Sequence, residues 1–182
     1  MLKLNLGCGP LPIHPQHYSV MEKPEEWTLV DFYVKDPSIK NWDAEKLEEV
    51  ENGSCEAIYA SHLLEHISHR RISEVLTLWY NKLCDNGQII INVPDLLWAS
   101  REVIKYENDQ PLSSSVYTSF EGNTGLQSIF YGTHAHEGEV HKAGFTQKSL
   151  TALLESIGFK NVAVTPWYDA HDMGVLMAWG IK

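Results

Sequence analysis

Near its start the chain carries Lys3-Leu4-Asn5-Leu6, a short run of β character that stops at Gly7-Cys8-Gly9. A strand that runs into Gly-x-Gly constrains the fold more than any other stretch here. In an open α/β sheet the ligand sits just beyond the carboxyl ends of such strands. Glycine at that point lets the backbone turn sharply and approach a bulky ligand, because no Cβ intervenes. Twenty-two residues past Gly9, Asp31 ends a second apolar run, Trp27-Thr28-Leu29-Val30. An acid placed there can accept hydrogen bonds from ribose hydroxyls. The two stretches together point to an adenosine-type ligand.

The kind of ligand narrows further. A dinucleotide fingerprint needs a third glycine three residues on, with pyrophosphate at the N-terminus of the helix that follows. Position 12 is proline, and Pro10, Pro12 and Pro15 oppose a helix directly after Gly9. An adenosine ligand without pyrophosphate fits better, and a nicotinamide-dependent oxidoreductase is disfavoured. Leu4-Asn5-Leu6-Gly7-Cys8-Gly9 with Val30-Asp31 resembles the first two motifs of class I S-adenosylmethionine-dependent methyltransferases. The long helix that usually follows the first motif must be short, displaced or absent in this chain.

Composition bounds the alternatives. A length of 182 residues suits one domain, residues 1–182, and 43% hydrophobic content opposes disorder. No apolar run approaches the ~20 residues of a membrane helix, and no signal-peptide pattern precedes the first strand. Cys8, Cys55 and Cys84 lack any Cys-x-x-Cys spacing and read as reduced thiols, which gives a cytoplasmic expectation. A formal charge of −10 opposes nucleic-acid binding. Oligomeric state is open.

Along the chain, Pro10 to Glu26 reads as a loop with one helical turn, and Trp27 to Phe32 as strand two. A turn segment follows, then a short amphipathic helix over Glu45–Val50. Ala57–Ala60 is a buried strand, after which Ser61 is expected to cap a helix beginning at His62. Ile72, Val75, Leu76, Trp79 and Leu83 share one face of a helix from about Arg71 to Leu83. Asp85-Asn86-Gly87 should end it, before the continuous apolar strand Gln88–Pro94. Asp95 is placed to cap the next helix. Residues 109–144 are irregular, with a short helix near Gly125–Tyr131. A connection of that length is usually functional. Its Phe120, Leu126, Ile129, Phe130 and Tyr131 lead to the expectation of a lid over the strand ends, forming the acceptor pocket. Gln147–Ile157 is amphipathic with Gly158 as C-cap, and Val162–Pro166 and Val175–Ile181 read as a last pair of strands.

This order, with Ala60-Ser61-His62-x-Leu64-Glu65-His66 and Val93-Pro94-Asp95-Leu96, resembles small bacterial or phage methyltransferase-domain proteins along nearly the whole chain. The resemblance implies an α/β Rossmann-like fold with a mainly parallel seven-stranded sheet and a terminal antiparallel hairpin. It implies S-adenosylmethionine as cofactor. Gly7 and Gly9 would line its methionine part, Asp31 would bind its ribose, Asp43-Ala44 would meet its adenine edge, the backbone at Ser61 and His62 would face the methyl group, and Cys8 and Phe32 would be further cofactor-binding residues. The implied activity is methyl transfer to a small molecule or to an acceptor displayed on a carrier. The alternative is a non-catalytic scaffold that keeps the fold.

An oxygen or amine acceptor also needs a base, and histidine suits neutral pH. The candidates are His62, His66, His134, His136 and His141, with His141 first because His141-Lys142-Ala143-Gly144-Phe145 resembles a run of this family, and His62 next. His62-x-x-Glu65-His66 has metal-ligand spacing. It resembles in part a Glu-x-x-Glu-His run of some metal-dependent methyltransferases, completed there by a distant histidine. The first position is histidine here, so the expectation is that activity survives chelation.

Overall fold

A computed structural model gives the arrangement of residues 1–10, 20–21, 23–114, 117–122, 125–169 and 172–182. Six strands form one mixed sheet: β1 (Leu2–Leu6), β2 (Trp27–Val30), β3 (Cys55–Ser61), β4 (Leu83–Pro94), β5 (Lys160–Tyr168) and β6 (Gly174–Ile181). Their spatial order is β2-β1-β3-β4-β6-β5. The first four run parallel, and β6 lies antiparallel between β4 and β5, which makes the expected terminal hairpin.

Among the described residues the sheet has six strands rather than the expected seven. Beside β2 the chain makes a single parallel bridge, Val30 to Lys40. Lys40 N–H donates to Leu29 O at 2.8 Å, and Asp31 N–H donates to Lys40 O at 3.0 Å. The Asp36-Pro37-Ser38 turn stands just before this bridge, with Ser38 N–H on the Asp36 carboxylate at 2.9 Å. Trp42 N–H already turns back to Lys40 O at 2.9 Å. Turn chemistry on both sides leaves no length for a ladder.

Among the described residues four α-helices accompany the sheet: α1 (Ile72–Lys82), α2 (Leu96–Glu107), α3 (Leu126–Tyr131) and α4 (Gln147–Ile157). Their starts and stops follow local chemistry. Asp95 accepts from Leu97 N–H and caps α2. Thr146 and Ser149 form a reciprocal capping box at α4, and Gly158, with φ of 114°, ends it. Trp79, Val75 and Leu76 of α1 and Leu150 and Leu154 of α4 cover one sheet face, packing on Ile58, Ile89 and Ile91. Each such buried side chain contributes about 1.5–3 kcal/mol of hydrophobic stabilisation. The alternate residues Tyr59, Ile90 and Met177 form a second cluster with Met21 and Trp27, as the two-residue period of a strand requires.

Three local expectations are corrected. Glu45–Val50 is a pair of turns rather than a helix: Leu47 N–H reaches Asp43 O at 2.8 Å, but Leu47 itself has φ of 44°, which stops propagation. Ser61 is the last residue of β3 instead of a helix cap, and His62 follows with φ of 50° before a 3-10 turn at Leu64–His66. Asp85-Asn86-Gly87 does not separate α1 from β4. Leu83 already pairs with Cys55, and residues 84–87 bulge out before Gln88 pairs with Ala57. Most of the loop expected over Pro10–Glu26, including Pro12 and Pro15, lies outside the described residues; Pro24–Glu26 is a 3-10 turn.

The insert divides into two parts. Leu126 and Ile129 pack with Trp98 and Ala99 of α2 and Val175 of β6, and Phe120 and Phe130 lie against the same cluster. Those apolar groups build a satellite core, so the lid expected from them is not what they form. The stretch from Gly132 to Val140 is a separate loop, closed by a bridge between its ends and by His141 N–H on Tyr131 O at 3.0 Å. No helix among the described residues is long and apolar enough to cross a membrane.

Candidate functional site

The carboxyl ends of β1, β2 and β3 converge. Where β1 stops, Gly7 N–H and Cys8 N–H both turn to Val30 O, at 2.8 and 3.2 Å, which ties the glycine loop to the end of β2. Gly7 and Gly9 have φ of 64° and 69°, in the left-handed region that disfavours a Cβ. A Cβ on Gly7 would meet the Leu63 side chain at 3.0 Å, whereas one on Gly9 would meet nothing within 4 Å. Gly7 is therefore set by packing as well as by conformation, and Gly9 opens onto space.

Asp31 organises this corner. Its Oδ2 accepts from Gly9 N–H at 3.0 Å, and its Oδ1 accepts from Tyr33 N–H at 2.8 Å and Val34 N–H at 3.0 Å. A carboxylate has about four lone-pair positions, so one stays free for a further donor. Cys8 lies between the glycines but is buried, its Sγ 3.4 Å from Gly9 O. Burial, and secondarily the Asp31 carboxylate, push its thiol up to about 12. It is a packing group and no nucleophile.

These elements border one cavity of 510 Å³, within the usual range for small-molecule sites. Gly7, Cys8, Gly9, Asp31 and Phe32 line one part of it, and Asp43, Ala44, Ser61 and His62 another. The structure thus brings together nine residues singled out from four separate stretches of sequence. Asp43 Oδ1 accepts from Glu45 N–H at 2.9 Å, and Trp79 of α1 donates its indole N–H to Ala44 O at 2.8 Å, which pins the segment. Ser61 Oγ is buried without a hydrogen-bond partner among the described residues.

The lining also includes residues that the sequence did not single out: Tyr33, Trp42, Leu63 and, from the insert, Gly138, Glu139 and Lys142. The loop carrying Gly138 packs on Tyr33 so closely that a Cβ there would stand 2.5 Å from the ring. The Tyr33 and His136 rings lie 5.1 Å apart, and His136 borders the cavity too. Only the contiguity of Asp31 and Phe32 with Tyr33 could have signalled this contact.

Behind one wall sits a cluster of ionisable groups. Glu65 is 1% exposed, and neither of its carboxylate oxygens has a hydrogen-bond partner among the described residues. His62 Nδ1 stands 3.3 Å from Glu65 Oε1, within ion-pair range but not aligned as a hydrogen bond. Burial would lower the His62 pKa, yet the Glu65 carboxylate outweighs it and the net direction is upward. Burial would raise that of Glu65, yet the surrounding histidines, His62 first, hold it down and keep it ionised. His66 lines the cavity, and its ring meets that of His141 edge-on at 4.8 Å. His141 itself is not among the lining residues; it lies behind His66, with burial pushing its pKa down. His134 is exposed and stands apart from this cluster.

The donor set fits an S-adenosyl ligand: two glycines without side chains, one opening on free space, a carboxylate with a spare lone pair, and an unpartnered hydroxyl at the next strand end. No family model and no curated protein sequence matches this chain. Among solved structures it is similar to the 1,6-didemethyltoxoflavin-N1-methyltransferase of Burkholderia thailandensis with bound 1,6-didemethyltoxoflavin and S-adenosylhomocysteine. That match has 15% identity, covers 100% of this chain and 70% of that one, and has a TM-score of 0.62. A SAM-dependent methyltransferase of Archaeoglobus fulgidus aligns at 16% identity over 100% of this chain and 86% of that one, TM-score 0.62. Another from Methanosarcina mazei aligns at 13% identity over 98% and 91%, TM-score 0.58. With the cavity at the ends of β1 to β3 and the antiparallel pair closing the sheet, this likeness gives the chain the class I S-adenosylmethionine-dependent methyltransferase fold.

Proposed function

We propose that this protein is a cytoplasmic methyltransferase that binds S-adenosylmethionine and methylates a small molecule or an acceptor displayed on a carrier. The observation that carries the reading is the convergence of Gly7, Gly9, Asp31, Asp43 and Ser61 on one cavity. The bound cofactor supplies a methyl group already activated on a sulfonium. Asp31 accepts a ribose hydroxyl on its free lone pair while its other positions hold the glycine loop. Gly7 and Gly9 leave room for the amino-acid end. Asp43 and Ala44 flank the adenine edge, with Phe32 at the rim, 53% exposed. Three free thiols, Cys8, Cys55 and Cys84, agree with a reducing compartment.

Alignment of acceptor and methyl donor supplies much of the rate in such a reaction. His62 is the group we assign to the acceptor's proton. It lines the cavity at the end of β3, and its positive φ is the sort of local strain that persists where the surroundings fix a side chain. Glu65 Oε1 stands 3.3 Å from its Nδ1, within ion-pair range. His141 is not among the lining residues, and we give it no direct contact with the acceptor.

The test is transfer of label from methyl-labelled S-adenosylmethionine to compounds of a small-molecule extract, with Asp31→Ala as control. Label in a new compound with the native protein, and none with the control, supports the reading. Cofactor binding without any transfer supports the scaffold alternative. Once an acceptor is known, His62→Gln should lower kcat by about 10²–10⁴-fold, the usual range for a general base, with cofactor affinity unchanged.

A further inference from the structure

We propose that Glu65, His66 and His141 bind one divalent transition-metal ion, of the zinc, cobalt or nickel kind, in the wall of the cavity. Their candidate ligand atoms all lie within 4.8 Å of one another. Three further observations point to an ion.

The first is the carboxylate. Glu65 is 1% exposed, and both of its oxygens are buried without a hydrogen-bond partner among the described residues. A carboxylate buried without hydrogen bonds is among the costliest groups to bury; His62 faces Oε1 at 3.3 Å without hydrogen-bond alignment, and Oε2 is left for a further positive charge.

The second is the orientation of the imidazoles. His141 Nδ1 donates to Ile129 O at 3.0 Å, and His66 Nδ1 donates to Val140 O at 3.3 Å. A ring that donates from Nδ1 has, in its neutral form, its lone pair on Nε2. Metal-bound histidines are held in this way, with the second nitrogen engaged by a carbonyl or carboxylate.

The third is the scaffold. Lys142 N–H and Ala143 N–H both donate to Glu65 O, at 2.7 and 3.1 Å, so the end of the insert is fastened to the Leu64–His66 turn. The three side chains are brought to one place by backbone pairing across the fold.

Two imidazoles and one carboxylate suit zinc, cobalt or nickel, whereas magnesium and calcium favour oxygen alone. Ligands at about 2.0–2.2 Å from a tetrahedral zinc stand roughly 3.4 Å apart. Loading therefore draws these side chains together by about an ångström. The set differs from the run His62-x-x-Glu65-His66 read in sequence. His62 lines the cavity and lies outside the cluster, and its place is taken by His141. Three protein ligands leave positions for water, and because His66 lines the cavity, for an acceptor oxygen; that last role rests on the methyltransferase reading. On it, activity falls on chelation, contrary to the sequence expectation.

The experiment is calorimetric titration of the chelator-stripped full chain with Zn²⁺, without cofactor, and with Co²⁺ followed by visible absorption. The expected result is one equivalent of each ion, an absorption spectrum of nitrogen–oxygen ligation, and no heat with Mg²⁺ under the same conditions. Glu65→Gln and His141→Asn should each weaken Zn²⁺ binding by at least the roughly 10–100-fold that changes to outer-shell partners cause. His69→Ala should bind as the native chain does. His69 also reaches the insert, at Lys142 O, but supplies no ligand. Circular dichroism establishes that each variant is folded, and His141→Asn carries the test by itself if Glu65→Gln is not. Absence of saturable binding, or equal binding by native chain and folded variants, overturns the proposal. Either result leaves cofactor binding unaffected, so it is distinct from failure of the methyltransferase reading.

Discussion

Asp31 holds the cavity corner where the glycine loop meets the end of β2, and replacing it tests its assignment to the ribose. The carboxylate accepts three backbone amides, from Gly9, Tyr33 and Val34, at 2.8–3.0 Å. One lone pair is left for a ribose hydroxyl. Losing one hydrogen bond to a charged acceptor costs about 1.5–3 kcal/mol, and at about 1.4 kcal/mol per factor of ten this is roughly 10- to 150-fold in Kd. Asp31→Ala should weaken S-adenosylhomocysteine binding by that amount, measured by calorimetry with the product so that no turnover intervenes. Asp31→Asn should lose nearly as much. If its Oδ1 stays on Tyr33 and Val34, its amide nitrogen faces the Gly9 N–H donor to donor at the 3.0 Å now occupied by an oxygen. Folding stability should fall less, by about 1–2 kcal/mol, because the Tyr33 and Val34 amides lie near solvent and regain water. An unchanged Kd in a folded Asp31→Ala protein would refute the assignment of Asp31 to the ribose.

Two further predictions concern the frame around the cavity. Glu102, 2% exposed, accepts from Lys105 at 2.7 Å and from Ser113 N–H and Oγ at 2.7 and 2.9 Å, tying the insert to α2. Glu102→Ala should cost about 2–3 kcal/mol, or about 4–12 °C in Tm at this size. Burial would raise the Glu102 pKa, but Lys105 and Ser113 outweigh it, and the folded value lies below the ordinary one. Its stabilisation is therefore complete above the unfolded carboxylate pKa, about 4.3, and fades as pH falls through the folded value. Tm measured below pH about 4.3 should drop more steeply for the native chain than for Glu102→Gln; parallel curves would contradict this. Gly174→Ala should destabilise by at least the 1–3 kcal/mol typical of overpacking, since its Cβ would stand 2.2 Å from the Trp98 ring. A melting curve equal to the native one would show that α2 yields freely.

Much of the cavity was legible because it is built at strand ends, where a short local pattern fixes position. Leu4–Gly9, Val30-Asp31 and Ala60-Ser61 each end a strand, and parallel pairing of β1 with β2 and β3 then brings them together. The starts and stops of two helices were legible for a similar reason: Asp95 and Gly158 are caps that act within one turn. What failed to show depends on contacts across the chain. The edge strand shrinks to one bridge because turns flank Lys40, and strand propensity does not register that. Leu126 and Ile129 find Trp98 instead of the strand ends, since the pattern of an irregular insert says that it must pack but not on what. Glu65, His66 and His141 meet only through the pairing of Lys142 and Ala143 with Glu65 O, and no local pattern encodes that pairing. The sequence offered the spacing His62-x-x-Glu65-His66 and, only through the resemblance, a distant histidine to complete it.

The central claim is that the cavity at the ends of β1 to β3 is an S-adenosylmethionine site. Calorimetric titration of the purified chain with S-adenosylmethionine, S-adenosylhomocysteine and NAD tests it most directly. Saturable one-to-one binding of both S-adenosyl compounds and no binding of NAD is the expected result. Binding of NAD without binding of either S-adenosyl compound would contradict it.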